Sequence, residues 1–222
     1  AGMARNISRE KENFMLLFDM DGTLLDSNGV WQEVDTAFLA KRGIPYTKDY
    51  YEGVAHTIFP LAAKFTKAFC QLPETEEEIM AEWMEMAGDL YATDVAAKPG
   101  VTTFLDAMQA RGERMAVVTS AVPVHCTSAL AHLGLDRYFE RVFFAQELGM
   151  EKKEPALWRA VAEALEVAPE ACVVFDDSVA ACRGAKAAGM KTVGVHDPFF
   201  AGTEGDMKTL CDRYITGWDE LL

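Results

Sequence analysis

Five consecutive apolar residues, Phe14 to Phe18, run into Asp19, and similar short blocks return at Met115–Val118, Val142–Phe144, Cys172–Phe175, Thr192–Val195 and, more weakly, Tyr214–Ile215. None alternates strictly with polar residues, so each predicts a strand covered on both faces of a sheet. From residue 100 onward these blocks take turns with helical patterns. Val122–Leu133 lies between the second and third blocks. Pro155–Val167 lies between the third and fourth, with Leu157, Val161, Ala164 and Leu165 at helical spacing. Strand and helix in alternation predict βαβ units on a parallel sheet.

One stretch departs from that rhythm, because residues 28–96 contain no convincing strand. Trp31, Val34, Phe38 and Lys41 trace one amphipathic helix, closed by Gly43 with Pro45 beyond it. Ile58, Leu61, Ala62, Phe65 and Phe69 trace a second. A third begins at Thr75-x-x-Glu78, which has capping-box spacing, and turns Ile79, Trp83, Met86 and Leu90 inward. The pattern predicts a helical insertion into an α/β domain, with Lys98-Pro99-Gly100 marking the return.

At 222 residues the chain has room for a core domain and a smaller second one. Its formal charge of -14 argues against nucleic acid or an anionic membrane as partner, so an anionic ligand must be met by local cations. Five cysteines form no CxxC pair, and Cys172 sits in an apolar block that wants a small hydrophobe; the expectation is a reducing, cytoplasmic setting. Ala1–Asn13 lacks the apolar centre of a signal peptide, and Ala1-Gly2 before Met3 reads as a cloning remnant.

The candidate chemistry gathers where the apolar blocks end. Asp19 and Asp21 stand one residue apart beside Gly22, and a carboxylate at such a turn can attack an electrophile, hold a metal or move a proton. Thr119-Ser120 follows the second block, with Pro123 placed at a first helical position, where hydroxyls and free N–H groups serve either as an anion cradle or as an ordinary helix cap. Lys152 and Lys153 supply cations. Asp176 and Asp177 end the fourth block. Were that strand to lie beside the first, four carboxylates would converge, each pair at ~4 Å repelling by about 4 kcal/mol at an effective dielectric of 20. Such a cluster needs a cation, and a few hard oxygen ligands suit Mg²⁺.

Phe18-Asp-Met-Asp-Gly-Thr-Leu-Leu-Asp-Ser27 closely resembles the opening motif of the haloacid dehalogenase-like (HAD) hydrolase superfamily. The resemblance continues in order through Val117–Ser120, Lys152–Trp158, and Val174–Ser178 with Ala185–Met190, from about Phe14 to Val195. It implies a Rossmann-like core of residues 14–27 and 97–222, a helical cap of 28–96 after the first strand, and an N-terminal tail of 1–13. It also implies a Mg²⁺-dependent phosphatase acting on a small phosphorylated substrate through an aspartyl-phosphate.

By the same resemblance Asp19 is the nucleophile, Asp21 the acid and then base, and Thr119, Ser120 and Lys152 bind phosphate. Asp19 and Asp177 ligate Mg²⁺ through side chains, Asp21 through its carbonyl, and Asp176 directly or through water. Family members usually read Lys-Pro-x-Pro with an aromatic six residues after the lysine. Lys152 meets these spacings through Pro155 and Trp158, while Lys153 takes the first proline's place, which leaves both lysines as candidates.

Asp21 disfavours the dehalogenase and phosphonatase branches, and Trp31 stands where β-phosphoglucomutase-like members carry histidine. The alternatives are a sugar phosphate mutase and a catalytically idle regulator that binds a phosphorylated ligand. Hinges are expected near Asp26–Val30 and Ala96–Gly100, and specificity between Tyr46 and Lys67, where Tyr50, Tyr51, His56 and Lys64 are candidates and Gly53 admits a close approach. Met80, Met84 and Met86 form a stripe for packing or for a partner. The expected assembly is a monomer or weak dimer.

Overall fold

Every strand predicted from the apolar blocks is formed, each within one residue of its expected ends, and all six lie in one sheet. The structure, a computed structural model, describes residues 14–54 and 59–222. β1 (Met15–Phe18) and the two-residue β2 (Leu25–Asp26) precede four helices, α1 (Val30–Lys41), α2 (Lys48–Val54), α3 (Phe59–Cys70) and α4 (Glu76–Thr93). β3 (Ala96–Ala97) leads through α5 (Val101–Ala110) to β4 (Arg114–Thr119), α6 (Pro123–His132), β5 (Arg141–Phe144), the short α7 (Ala145–Leu148) and α8 (Pro155–Ala164). Then come β6 (Cys172–Asp176), α9 (Val179–Ala187), β7 (Lys191–Val195), α10 (Glu204–Leu210) and β8 (Arg213–Ile215).

The main sheet runs β5-β4-β1-β6-β7-β8, with every neighbouring pair parallel. The chain moves outward from β1 to β4 and β5 on one side, then crosses to β6, β7 and β8 on the other. A reversal of this kind opens a crevice at the carboxyl ends of the strands beside it. Asp19, Thr119 and Asp176 stand at those ends.

Side chains of β1 alternate between two cores. Leu16 and Phe18 enter one with Phe104, Val117, Phe175 and Trp218, roofed by α5, α6 and the inserted helices. Met15 and Leu17 enter the other with Val118, Leu157, Trp158 and Val174, under α8 and α9. Burying each large apolar side chain contributes about 1.5–3 kcal/mol, which explains why β1 holds no polar residue. Phe18 and its register partner Phe175 stack at 4.7 Å and 8°.

The inserted helices differ from the predicted faces by a position or so. In α1 the buried residues are Val30, Val34, Phe38 and Leu39; Trp31 is 36% exposed, and Lys41 reaches out to Glu82. In α3 they are Ala62, Ala63 and Thr66, while Leu61 and Phe69 are exposed; Ile58 lies outside the described residues. Small side chains face inward there because α3 packs closely on α2 and α4. α2 buries Tyr50 alone, so no apolar period announces it. The Thr75 capping box forms, with Glu78 N donating to Thr75 Oγ1 at 3.1 Å and Thr75 N to Glu78 Oε2 at 2.8 Å, worth about 1 kcal/mol. Where hinges were expected, β2 and β3 pair antiparallel, Leu25 with Ala97 and Asp26 with Ala96. Among the described residues, no helix is long and apolar enough to cross a membrane.

Candidate active site

Past Phe18 the chain keeps one ladder bond, Asp19 N to Phe175 O at 2.9 Å, and then folds back on itself. Leu24 N and Leu25 N both donate to Met20 O, at 3.1 and 3.0 Å. Gly22 turns the chain at φ +78, and a Cβ there would fall 2.0 Å from both Asn28 Nδ2 and Asp177 Oδ2. Only glycine satisfies that angle and that space together. The turn aims Asp19 into the crevice, where Thr23 Oγ1 donates to its Oδ2 at 2.9 Å and Lys152 Nζ to its Oδ1 at 2.8 Å. Trp218 Nε1 donates to Thr23 O at 3.2 Å and braces the turn from behind.

Lys152 rather than Lys153 pairs with the buried carboxylates. Its Nζ is buried, donates to Asp19 Oδ1 and to Val118 O at 3.1 Å, and forms an ion pair with Asp176 Oδ2 at 2.6 Å. Burial alone would push its pKa down, but Asp176 and Asp19 push it up, so it stays charged. The backbone is fixed by Trp158, whose Nε1 donates to Lys152 O at 2.7 Å. Gly184 in α9 lets the same strand of chain approach, since a Cβ there would lie 2.3 Å from Lys152 O. Lys153 lines the same cavity but is exposed and pairs with Glu151 at 2.9 Å.

Parallel register sets the acids side by side. Because Phe18 is level with Phe175, Asp19 emerges next to Asp176, and ligand atoms of Asp19, Asp176 and Asp177 all lie within 4.8 Å of one another. Asp176 is fixed by Ser178 N at 2.9 Å and Asp177 by Asn28 Nδ2 at 2.7 Å. Burial, with repulsion from Asp19, pushes the carboxyls of Asp176 and Asp177 well above the usual carboxylate range. With Asp21, four acids face one buried lysine, an imbalance that a divalent cation corrects. The donors are all hard oxygen, so a metal ion fits this cluster.

Asp21 sits beside that group without joining its ion pairs. Its Oδ1 accepts from Ser27 Oγ at 2.5 Å and from Tyr91 Oη at 2.8 Å, and burial raises its pKa to about 6. Thr119 Oγ1 accepts from Ala121 N at 2.9 Å, so its own proton remains for a ligand. Ser120 is exposed beside it, and Val122 caps α6 with no side-chain bond, leaving first-turn N–H groups free. All these groups face a cavity of about 710 Å³ that the insertion walls with Trp31, Phe59, Met84 and Tyr91.

Several expectations for the insertion are redirected. Tyr50 is buried inside it and bonded to Thr66 at 2.9 Å, while Tyr51 and Lys64 are exposed outside the cavity lining. His56 lies outside the described residues. Gly53 admits the Phe65 ring, 2.0 Å from where its Cβ would be, and serves helix packing. The methionine stripe divides, Met80 and Met86 packing on the core and Met84 facing the cavity. The sequence reading missed Thr23, Asn28, Tyr91 and His125. Thr23 and Asn28 stand in or beside the first motif and were within reach, whereas the helical segments gave no sign of Tyr91 or His125.

A parallel sheet that delivers a lysine-paired aspartate, a second aspartate and an acidic pair to its switch point defines a class of α/β hydrolases. The chain belongs to the haloacid dehalogenase-like hydrolase family, whose model matches residues 15–189. The phosphorylated carbohydrates phosphatase of Thermotoga maritima is 25% identical over 80% of this chain and 82% of that one. The GMP/IMP nucleotidase YrfG of Escherichia coli is 30% identical, over 82% and 83%. Among solved structures, a candidate beta-phosphoglucomutase from Thermotoga maritima superposes with a TM-score of 0.83 at 23% identity, covering 94% of this chain and 96% of its own.

Proposed function

We propose that this phosphoric monoester hydrolase is a Mg²⁺-dependent phosphatase of a small phosphorylated metabolite, working through an aspartyl-phosphate on Asp19. The observation that carries the reading is the Asp19 carboxylate, bonded to Lys152 at 2.8 Å and grouped with Asp176 and Asp177 within 4.8 Å. An Asp19 oxygen forms the bond to phosphorus as the ester oxygen departs with a proton from Asp21. Asp21 then takes a proton from the water that breaks the acyl phosphate, and orthophosphate leaves. Thr119, Ser120 and Lys152 hold the phosphoryl oxygens in both halves. Asp19, Asp176, Asp177 and the Asp21 carbonyl would hold Mg²⁺, which when bound neutralises charge on the transferring group.

Residues 28–96 act as a cap over the reacting centre, crossing to the core residues 14–27 and 97–222 at the β2–β3 ribbon. The mutase alternative is disfavoured by Trp31, which fills the cavity wall against Phe59 at 5.6 Å. A panel of small phosphomonoesters assayed for released phosphate, with Mg²⁺ and with chelator, tests the reading. Turnover that needs Mg²⁺ is expected; ligand binding without turnover would instead mark an idle regulator.

A further inference from the structure

Two hydroxyls converge on one oxygen of Asp21, one from the core just before the helical insertion and one from the insertion's last helix. Ser27 directly follows β2, and Tyr91 stands in the last turn of α4, just ahead of β3. Both donate to Oδ1, at 2.5 and 2.8 Å, and among the described residues Oδ2 accepts no hydrogen bond. The tyrosine is itself held. Its ring stacks on His125 of α6 at 5.1 Å and 18°, and His125 Nε2–H donates to Met84 O at 3.2 Å, two turns earlier in α4. Burial keeps that imidazole neutral by lowering its pKa. His125 therefore grips α4 at two points and fixes how far the Tyr91 hydroxyl reaches.

We propose that Tyr91 is a positioning residue for proton transfer: together with Ser27 it occupies Oδ1 and so makes Oδ2 the atom that carries the catalytic proton. This rests on the acid–base reading of Asp21 and goes beyond it by naming the atom and the group of the insertion that selects it. In the first half-reaction the Oδ2–H bond breaks as the ester oxygen leaves phosphorus and takes the proton. In the second, Oδ2 receives a proton from the attacking water. The proper alignment exists only while α4 is seated on α6, so the insertion contributes to the chemistry as well as enclosing it.

The test compares phosphorylation of Asp19 in the first turnover, by rapid quench with Mg²⁺, for two esters. One is p-nitrophenyl phosphate, whose leaving group departs without a proton, and the other is the alkyl phosphate that the wild-type enzyme hydrolyses fastest. Tyr91→Phe is expected to slow the alkyl ester roughly ten- to a hundredfold, the range for a lost hydrogen bond to a charged group. The aryl ester should slow less than about threefold. KM for both esters stays unchanged, and Ser27→Ala shifts the ratio in the same direction. Equal losses on the two esters, or a rise in KM at constant kcat, would overturn the assignment while leaving the phosphatase reading in place. A wild-type enzyme inert on both esters sinks that reading and this inference with it. One that hydrolyses the aryl ester alone has no working acid, and overturns the inference too.

Discussion

Asp19 and Tyr91 face the same cavity from opposite sides and reach it by different rules. Asp19 is delivered by a strand end: β1 is pinned on both sides by parallel ladders, so the residue after Phe18 has one place to go. Tyr91 is delivered by a helix whose rotation is set by neighbours far along the chain, chiefly His125 on α6. The sheet side of the cavity holds charge, hydroxyls and the acidic cluster; the helical side holds Trp31, Phe59 and Met84. The difference teaches that the charged groups are held by the sheet, while the insertion supplies most of the apolar wall around them.

That division can be pressed at four points. Asp19→Asn should do most, lowering turnover by at least about 10³-fold while the fold persists, since the amide keeps the shape but loses the nucleophile. Unchanged turnover would remove the core side from the chemistry. Lys152→Met comes next. It leaves Asp19 and Asp176 buried without their cation, so urea unfolding in metal-free buffer should show a loss of about 3–5 kcal/mol. Phosphate release should fall by about 10²-fold as well.

On the insertion side, Trp31→Ala should raise KM about tenfold and change kcat less than about threefold, because it removes contact area without touching the reacting groups. A kcat loss as deep as that of the core variants would break the comparison. The smallest effect is expected of Lys153→Met. That side chain pairs with exposed Glu151, so activity and urea midpoint should both match wild type. An activity loss equal to that of Lys152→Met would show that the second lysine takes over once substrate is bound.

Much of the core was legible because its signals are local. Apolar blocks such as Met115–Val118 carry strand length in their own residues, and Pro123 and Pro155 open α6 and α8 at their first helical positions, as prolines should. The convergence of four acids was conditional on β6 lying beside β1; the ladder from Met15–Cys172 to Phe18–Phe175 meets the condition and brings three together, Asp19, Asp176 and Asp177, with Asp21 beside them. The insertion was legible as helices and in part as faces, since Val34, Phe38, Ala62, Ile79 and Trp83 are buried as the spacing predicts. Leu61 and Phe69 looked inward by the same spacing, yet they are exposed and Ala63 and Thr66 are buried beside Ala62. Helical period fixes which residues share a stripe; how close the neighbouring helix comes decides which stripe is used.

The amino-acid sequence alone determined the six strands of the main sheet, the strand-end position of Asp19, Asp21, Thr119 and the Asp176–Asp177 pair, and the family to which they belong. These depend on neighbours a few residues away. Tertiary structure decided which lysine pairs with the buried carboxylates, because Trp158 and Gly184 close on the Lys152 carbonyl and turn its ammonium inward. It also decided that Asp21 takes its hydroxyls from Ser27 and from Tyr91, seventy residues away. Such pairings follow from the packing of whole elements, and a chain read one segment at a time carries no record of the distance between them.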